Sequence, residues 1–375
     1  MKIAVLGAGM VGRAIAIDLS HQYNVTSFDV SEQSLSLLQQ KSSAVTTVKA
    51  DLTDYAGYPA LLEGFDFAVT AVPGFMGYQT LEAVINAGKN VVDISFFPED
   101  ALALDALAKS KNVTAIVDCG VAPGMSNLVL GYHNSRMQVT GFECMVGGLP
   151  KIRVKPFEYK APFSPIDVIE EYTRPARLME NGEIVTKPAL SEAELLQFDK
   201  VGTLESFNTD GLRSILFTMG HIPNMKEKTL RYPGHIDLIK NMIAGGFFSE
   251  TPVMVNGQSI TPLQFSSQVL INQWKLGAQE PEFTIMRISV TGTENGTPKT
   301  IQYDLFDEYD AATQTSSMSR TTGYTCTAGL NLLAKGMFTQ KGVFPPELVG
   351  SDAACFDFIL QYLAERGVVY EKKEF

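Results

Sequence analysis

Gly7-Ala8-Gly9-Met10-Val11-Gly12 constrains this chain more than any other run of residues. The run follows a short apolar stretch, residues 2–6, and precedes a helical pattern through Ile15, Ile17 and Leu19. Strand, glycine turn and helix in that order read as the phosphate-binding turn of a dinucleotide fold. Gly7 permits the tight turn, Gly9 lets backbone amides approach a pyrophosphate at the helix N-terminus, and Gly12 lets helix and strand pack closely. A second apolar stretch, residues 25–30, carries Asp29 about 20 residues on, where an acidic side chain takes the adenosine ribose hydroxyls. Its carboxylate repels a 2′-phosphate, and Val30, Ser31 and Glu32 offer no Arg or Lys to hold one. NAD is therefore expected in preference to NADP. An FAD enzyme opens the same way, but Asp rather than Glu at position 29 and the absence of any other flavin signal rank it lower.

The alternation continues: a helix over 31–41, strands at 46–50 and 67–72, a helix over 78–87, a strand at 90–94, a helix over 100–109 and a strand at 114–117. Strands alternating with helices of this length imply an α/β fold, a doubly wound parallel sheet. Asp51 and Leu52, after the third strand, take the place where adenine rests. Ala71, Val72 and Pro73, after the fourth, border the pyrophosphate and nicotinamide side. Beyond Pro123-Gly124 the texture changes, with strands at 141–147 and 283–291, the latter paired with 299–304 across Glu294-Asn295-Gly296, irregular helices, and then helices at 322–335 and 352–366. A second domain of mixed sheet is expected over 126–319.

The balance of 30 Lys and Arg against 41 Asp and Glu gives a net charge of -11, which repels nucleic acids and anionic lipid surfaces. Cys119, Cys144, Cys326 and Cys355 lie far apart with no metal-ligand spacing, so buried reduced thiols and no metal are expected. The N-terminal run reads as a strand rather than a signal peptide, no stretch reaches the ~18 apolar residues of a membrane span, and a cytoplasmic location is expected.

Further motifs occur in order: NVVDIS at 90–95, DCGVAPGMSN at 118–127, GGLP at 147–150 leading to Glu158-Tyr159-Lys160 and Ser164-Pro165, LESFNTDGL at 204–212, LRYPGH at 230–235 and KGVFPPE near the end. Together they resemble the saccharopine dehydrogenase-like family over nearly the whole chain, and within it the NAD-dependent L-lysine 6-dehydrogenases most. The chain departs from those enzymes at Asp210-Gly211-Leu212-Arg213, and Tyr159-Lys160 with Ser164-Pro165 looks more like the saccharopine reductases. The resemblance implies a Rossmann domain of residues 1–125 plus 320–375, an inserted α/β substrate domain, a homodimer, and oxidation of an amino-acid CH–NH bond. Hydride would pass to NAD, giving an imine that hydrolyses; with lysine the semialdehyde product cyclises. Saccharopine or carboxynorspermidine dehydrogenase-like reductases, or a non-catalytic NAD-binding relative, are the alternatives.

Removing hydride from a carbon that bears nitrogen requires a neutral amine, and a lysine amine has a pKa near ~10.4, so the site must lower it or supply a base. Asp93, at the carboxyl end of the fifth strand, is read as an amine-binding carboxylate or proton acceptor, or else as a structural bonder of loop amides. Asp118 precedes Gly120, Val121, Ala122 and Pro123, the loop expected beside the nicotinamide, and is either functional or a loop cap. His235 could relay protons near neutral pH. Arg213 and Arg231 are candidates to grip a substrate carboxylate or to form salt bridges. Tyr159, Lys160, Asn208 and Thr209 complete a polar substrate wall, while Trp274 belongs to core or interface.

Overall fold

The computed structural model describes residues 1–162, 165–277 and 279–375, without the side chains of 165–167. Ser164, and with it the Ser164-Pro165 motif, lies outside the described residues. The chain divides into two units: 1–139 with 292–299 and 318–370, and 140–291 with 300–317 and 371–375.

In the first unit, Lys2–Leu6 forms a strand in which Ile3 to Leu6 are fully buried, as expected for a strand covered on both faces. It pairs in parallel with Asn24–Asp29 on one side and Phe67–Thr70 on the other. The full sheet runs Gly342–Phe344, Thr114–Ile116, Asn90–Asp93, Phe67–Thr70, Lys2–Leu6, Asn24–Asp29, Thr46–Lys49. That order is the doubly wound Rossmann arrangement with one extra strand, and it reverses direction between the first and fourth strands, where dinucleotides bind. The fourth strand stops at Thr70, leaving Ala71, Val72 and Pro73 in the loop at this reversal.

The extra strand comes from the C-terminal segment, with Gly342 opposite Thr114 and Phe344 opposite Ile116. A long helix, Ser317–Ala334, and a second, Ala353–Ala364, belong to the same unit. Tyr362 and Arg366 both donate 2.7 Å hydrogen bonds to the buried carboxylate of Asp18, on the first helix.

The change of unit falls after Val139, not after residue 125. The helix Met125–Asn134, which the sequence did not indicate and whose residues from 126 were expected in the second domain, packs so closely on the C-terminal segment that a Cβ on Gly131 would lie 1.9 Å from the Glu347 carbonyl. Tyr132 stacks on Phe356 at 4.1 Å, and Asn127 donates to the buried Glu347 carboxylate at 3.2 Å. The NVVDIS-to-DCGVAPGMSN half of the sequence pattern and the KGVFPPE motif thus meet inside one unit.

The second unit is built on a mixed sheet in which Asn224–Arg231 pairs in parallel with Gln138–Pro150 and antiparallel with Gly202–Asn208. The hairpin expected at Asn295-Gly296 forms with both residues at positive φ, 52° and 80°, the geometry of a tight two-residue turn. Its strands, Glu282–Glu294 and Thr297–Glu308, are longer than the apolar pattern indicated. Tyr159, Tyr172, Phe207, Ile236 and Trp274 lie in the apolar core of this unit, to which the helices Pro165–Thr173 and Pro262–Trp274 contribute. All four cysteines are free and buried. Among the described residues no helix is long and apolar enough to cross a membrane, and no cluster of His, Cys, Asp or Glu could hold a metal ion.

Candidate functional site

At the glycine turn the three glycines do different work. Gly7, at φ 111°, donates to the Phe28 carbonyl at 2.8 Å, and a Cβ there would lie 2.3 Å from the Ala71 carbonyl oxygen. A Cβ on Gly12 would lie 2.1 Å from the Gly7 carbonyl oxygen, so helix and turn meet backbone to backbone. A Cβ on Gly9 would meet nothing within 4 Å. Gly9 caps the helix Met10–Ser20 with no side chain bonded to its N-terminal amides, and the open space beside it is where a pyrophosphate fits. These residues fit a dinucleotide. Gly7 to Gly12, Met10 and Val11 included, would hold the pyrophosphate, and Asp29 the ribose.

Asp29 is more constrained than its spacing suggests. One carboxylate oxygen accepts from Ala8 N and the other from Ser31 N, both at 2.7 Å, which leaves a lone pair on each for a hydroxyl. Arg13, which the sequence reading passed over, donates from Nη1 to the Ala8 carbonyl at 2.9 Å. The signal was available: an arginine directly after the third glycine points its side chain back over the turn, because helical side chains lean toward the N-terminus. Val30 is exposed, Asp51 accepts from both the amide and hydroxyl of Thr53, and Leu52 is buried with its carbonyl bonded to Tyr58 OH.

Asp93 and Asp118 follow adjacent strands of the same sheet. Asp93 is fully buried, with Oδ1 accepting from Thr70 Oγ1 at 2.5 Å and Ser95 N at 3.1 Å. Its Oδ2 is buried with no hydrogen-bond partner. Burial pushes this carboxyl up to about 7, against the pull of Thr70 and Ser95 and with a further push from Asp118. Asp118 is itself buried, in left-handed backbone at φ 51°. Between them Cys119 donates its amide to the Asp93 carbonyl at 2.9 Å, and burial raises its thiol to about 12, keeping it protonated. Gly120, Val121, Ala122 and Pro123 fold tightly behind: Gly124, at φ 140°, would carry its Cβ 1.9 Å from the Gly120 carbonyl oxygen, and Met125 N donates to that same oxygen at 2.9 Å.

The second unit gathers Tyr159, Arg231 and His235 with Tyr172, which sequence reasoning missed because it lies in no motif. His235 Nδ1 faces the Phe157 carbonyl at 2.8 Å and Nε2 faces Tyr172 OH at 2.9 Å. A carbonyl only accepts, so Nδ1 carries the hydrogen and Nε2 accepts from the phenol. Tyr172 in turn accepts from Arg231 Nε at 2.9 Å, while Arg231 Nη2 donates to Glu171 at 2.8 Å and Nη1 to the Leu230 carbonyl at 3.0 Å. The guanidinium lies 4.3 Å above the Tyr159 ring. Burial opposes its charge, but Tyr159, Tyr172 and Glu171 outweigh that and hold its pKa above the ordinary value.

Burial, with help from Arg231, lowers His235 to about 3. The expected proton relay near neutral pH is replaced by a neutral, fully bonded imidazole. Below its ordinary value of ~6.5 the unfolded chain binds a proton that the native ring refuses, so this group costs stability as pH falls through 6.5 toward 3. Tyr172→Phe removes the hydroxyl that joins His235 to Arg231 and leaves two buried polar atoms without a partner. A loss of about 1–3 kcal/mol is expected in urea unfolding, and a smaller change would mean the network relaxes around the gap.

The other expected wall residues are spent on local structure. Lys160 bonds the Gln273 and Lys275 carbonyls at 3.0 and 3.4 Å, closing the helix Pro262–Trp274. Asn208 Nδ2 bonds Ser191 and Glu192, and Thr209 pairs its hydroxyl with that of Thr229 at 3.1 Å. Arg177 grips Asp210 bidentately at 2.9 Å, and Arg213 is buried in left-handed backbone at φ 49°.

Comparison with known proteins decides the family. The model described as saccharopine dehydrogenase NADP binding domain matches residues 3–116, and that described as saccharopine dehydrogenase C-terminal domain matches 120–368. This chain belongs to the saccharopine dehydrogenase family. Among curated relatives, saccharopine dehydrogenase [NADP(+), L-glutamate-forming] of Pyricularia oryzae is 24% identical over 264 residues, 66% of this chain and 58% of that protein. Mouse mitochondrial alpha-aminoadipic semialdehyde synthase is 22% identical over 264 residues, 66% of this chain and 28% of the relative. The chain thus spans less than two thirds of the length of either. The solved apo structure of the L-Glu-forming saccharopine dehydrogenase from Saccharomyces cerevisiae superposes with a TM-score of 0.80 at 19% identity, covering 100% of this chain and 99% of that one, which establishes the shared fold.

Proposed function

We propose that this member of the saccharopine dehydrogenase family is an NAD-dependent oxidoreductase of an amino-acid CH–NH bond, with the side-chain amine of L-lysine as its first candidate substrate. The observation that carries this reading is Asp93: a fully buried carboxyl with one unbonded oxygen, on the strand next to the one that ends at the glycine turn's contact, Ala71. When bound, the nicotinamide supplies the hydride acceptor. The glycine turn and the helix amides orient the dinucleotide, and Asp29 accepts from its ribose.

Asp93 holds the proton balance. Above about 7 it is ionised and its Oδ2 accepts a proton from the substrate ammonium. Moving a proton from an amine near ~10.4 to a carboxylate near 7 costs roughly 4–5 kcal/mol, which burial of the ammonium reduces by lowering its own pKa. Turnover therefore rises from neutral to alkaline pH. A second reading, oxidation of saccharopine with release of glutamate, is favoured by the L-glutamate-forming activity named for the Pyricularia and yeast relatives.

The test is NADH formation by the purified protein between pH 7 and 10 with L-lysine, L-saccharopine and other amino acids and polyamines, with NADP as the control cofactor. Lysine turnover with NAD supports the first reading and saccharopine turnover the second. Failure on every amine despite dinucleotide binding would leave a cofactor-binding protein without this chemistry.

A further inference from the structure

Ala8, at the centre of the glycine turn, is held through both its N–H and its carbonyl by charged groups. Ala8 is fully buried; its N–H donates to Asp29 Oδ2 at 2.7 Å and its carbonyl accepts from Arg13 Nη1 at 2.9 Å. Arg13 opens the first helical hydrogen bond, Arg13 N to the Gly9 carbonyl at 3.0 Å, so it is fixed one turn inside the helix with its side chain reaching back over the turn. A guanidinium has five N–H donors, and the bond to Ala8 uses one. Its charge and that of Asp29 act on each other, and its charge helps to lower the pKa of Lys41. Glu32, the other acid of this segment, is paired with Lys49 at 2.7 Å.

These contacts change the electrostatics at the adenosine end. The local sequence Asp29-Val30-Ser31-Glu32 reads as net negative and hostile to a 2′-phosphate. In the fold, Glu32 is paired with Lys49 at the exposed surface, and Asp29 faces a cation from a different element, Arg13. Resting on the nicotinamide-binding reading above, we infer that Arg13 is a specificity-determining residue of the dinucleotide cradle: with Asp29 it clamps Ala8 through the two peptide groups that flank it, and its charge sets how strongly the cradle distinguishes a 2′-hydroxyl from a 2′-phosphate. Asp29 alone gives the preference for NAD, and Arg13 limits how complete that preference is.

The experiment is a fluorescence titration of NADH and of NADPH against the full chain, Arg13→Gln, Asp29→Ser and the double variant, at two salt concentrations, with thermal unfolding of each. Arg13→Gln is expected to weaken NADPH about tenfold or more while NADH changes less than about threefold, the size of a lost charge-assisted contact. Asp29→Ser is expected to strengthen NADPH about tenfold, and the double variant to lose that gain. The NADPH constant of the full chain falls more steeply with salt than that of NADH, and the two slopes converge in Arg13→Gln. Equal weakening of both dinucleotides in Arg13→Gln would reduce the residue to a support for the turn and overturn the inference, as would no change in either. If Arg13→Gln shows no cooperative unfolding, Arg13→Lys is read instead: it keeps the charge and should hold NADPH within about threefold, and a tenfold selective loss there would also overturn the inference. Failure of the unmodified chain to bind either dinucleotide would bring down the cofactor reading itself, a result distinct from all of these.

Discussion

Asp93→Asn is expected to lower kcat by about 10²–10⁴-fold, the range for removing a positioned proton acceptor, while NADH affinity stays within about threefold. Asparagine keeps the shape and still accepts from Thr70 and Ser95 at Oδ1, so the loss reads the proton step rather than the fold. The same variant should be more stable than the parent at pH 8. Unfolded, the carboxyl ionises near its ordinary 3.8; folded, burial holds it near 7. Between those values the native chain keeps a proton that the unfolded chain has lost, so stability falls as pH rises through the window and stays lowered above it. The difference in favour of Asn at pH 8 is up to about 4 kcal/mol, and it vanishes below about pH 4, where both forms are protonated. Unfolding in urea at pH 8 and pH 4, beside steady-state kinetics, measures both effects. Unimpaired turnover in Asp93→Asn would remove Asp93 from the chemistry, and an unchanged pH dependence of stability would mean that the carboxyl is already ionised below pH 7.

The glycine turn separates binding from folding. Gly9→Ala places its methyl in open space at φ -63°, an ordinary backbone angle, so the fold is expected to keep its melting temperature. The methyl then occupies the approach of the pyrophosphate, and NADH affinity is expected to fall about 10–100-fold. Gly12→Ala is the opposite case. Its Cβ would lie 2.1 Å from the Gly7 carbonyl oxygen, and neither backbone can yield without moving the helix off the sheet. A loss of about 3 kcal/mol or more is expected, toward the upper end for overpacking. Calorimetry of both variants with and without NADH checks the pair. Tight NADH binding by Gly9→Ala would place the pyrophosphate elsewhere, and an unaltered melting temperature for Gly12→Ala would mean that helix and turn can separate.

Elements were legible where the signal is carried by neighbouring residues. The central strands of the first half follow from apolar runs, because a strand buried on both faces has to be apolar throughout, while Thr46–Lys49 is an exposed edge strand legible only from its β-branched residues. The Asn295-Gly296 hairpin was legible for a similar local reason, since few residues adopt consecutive positive φ. Ends were less so. The strand at 67–70 stops two residues early where its neighbour ends at Leu6: Ala71 N makes the last bond to it, at 2.8 Å, and the chain there meets Gly7. The boundary after Val139 was hidden because it depends on Gly131 meeting Glu347, residues far apart in the chain.

By itself the sequence determined the dinucleotide turn, the parallel sheet around it and the place of Asp29, for these are contiguous patterns with one physical solution. Only the tertiary structure decided what the polar residues do. Asp93 holds its proton to about 7 because burial among separate segments, with a push from Asp118, outweighs the hydrogen bonds from Thr70 and Ser95. His235 is kept neutral by burial and by Arg231, against the pull of the Phe157 carbonyl, and Lys160 and Asn208 are drawn into closing a helix and tying a loop. A side chain's charge state depends on what surrounds it in three dimensions, and those neighbours are brought together by folding rather than by order along the chain.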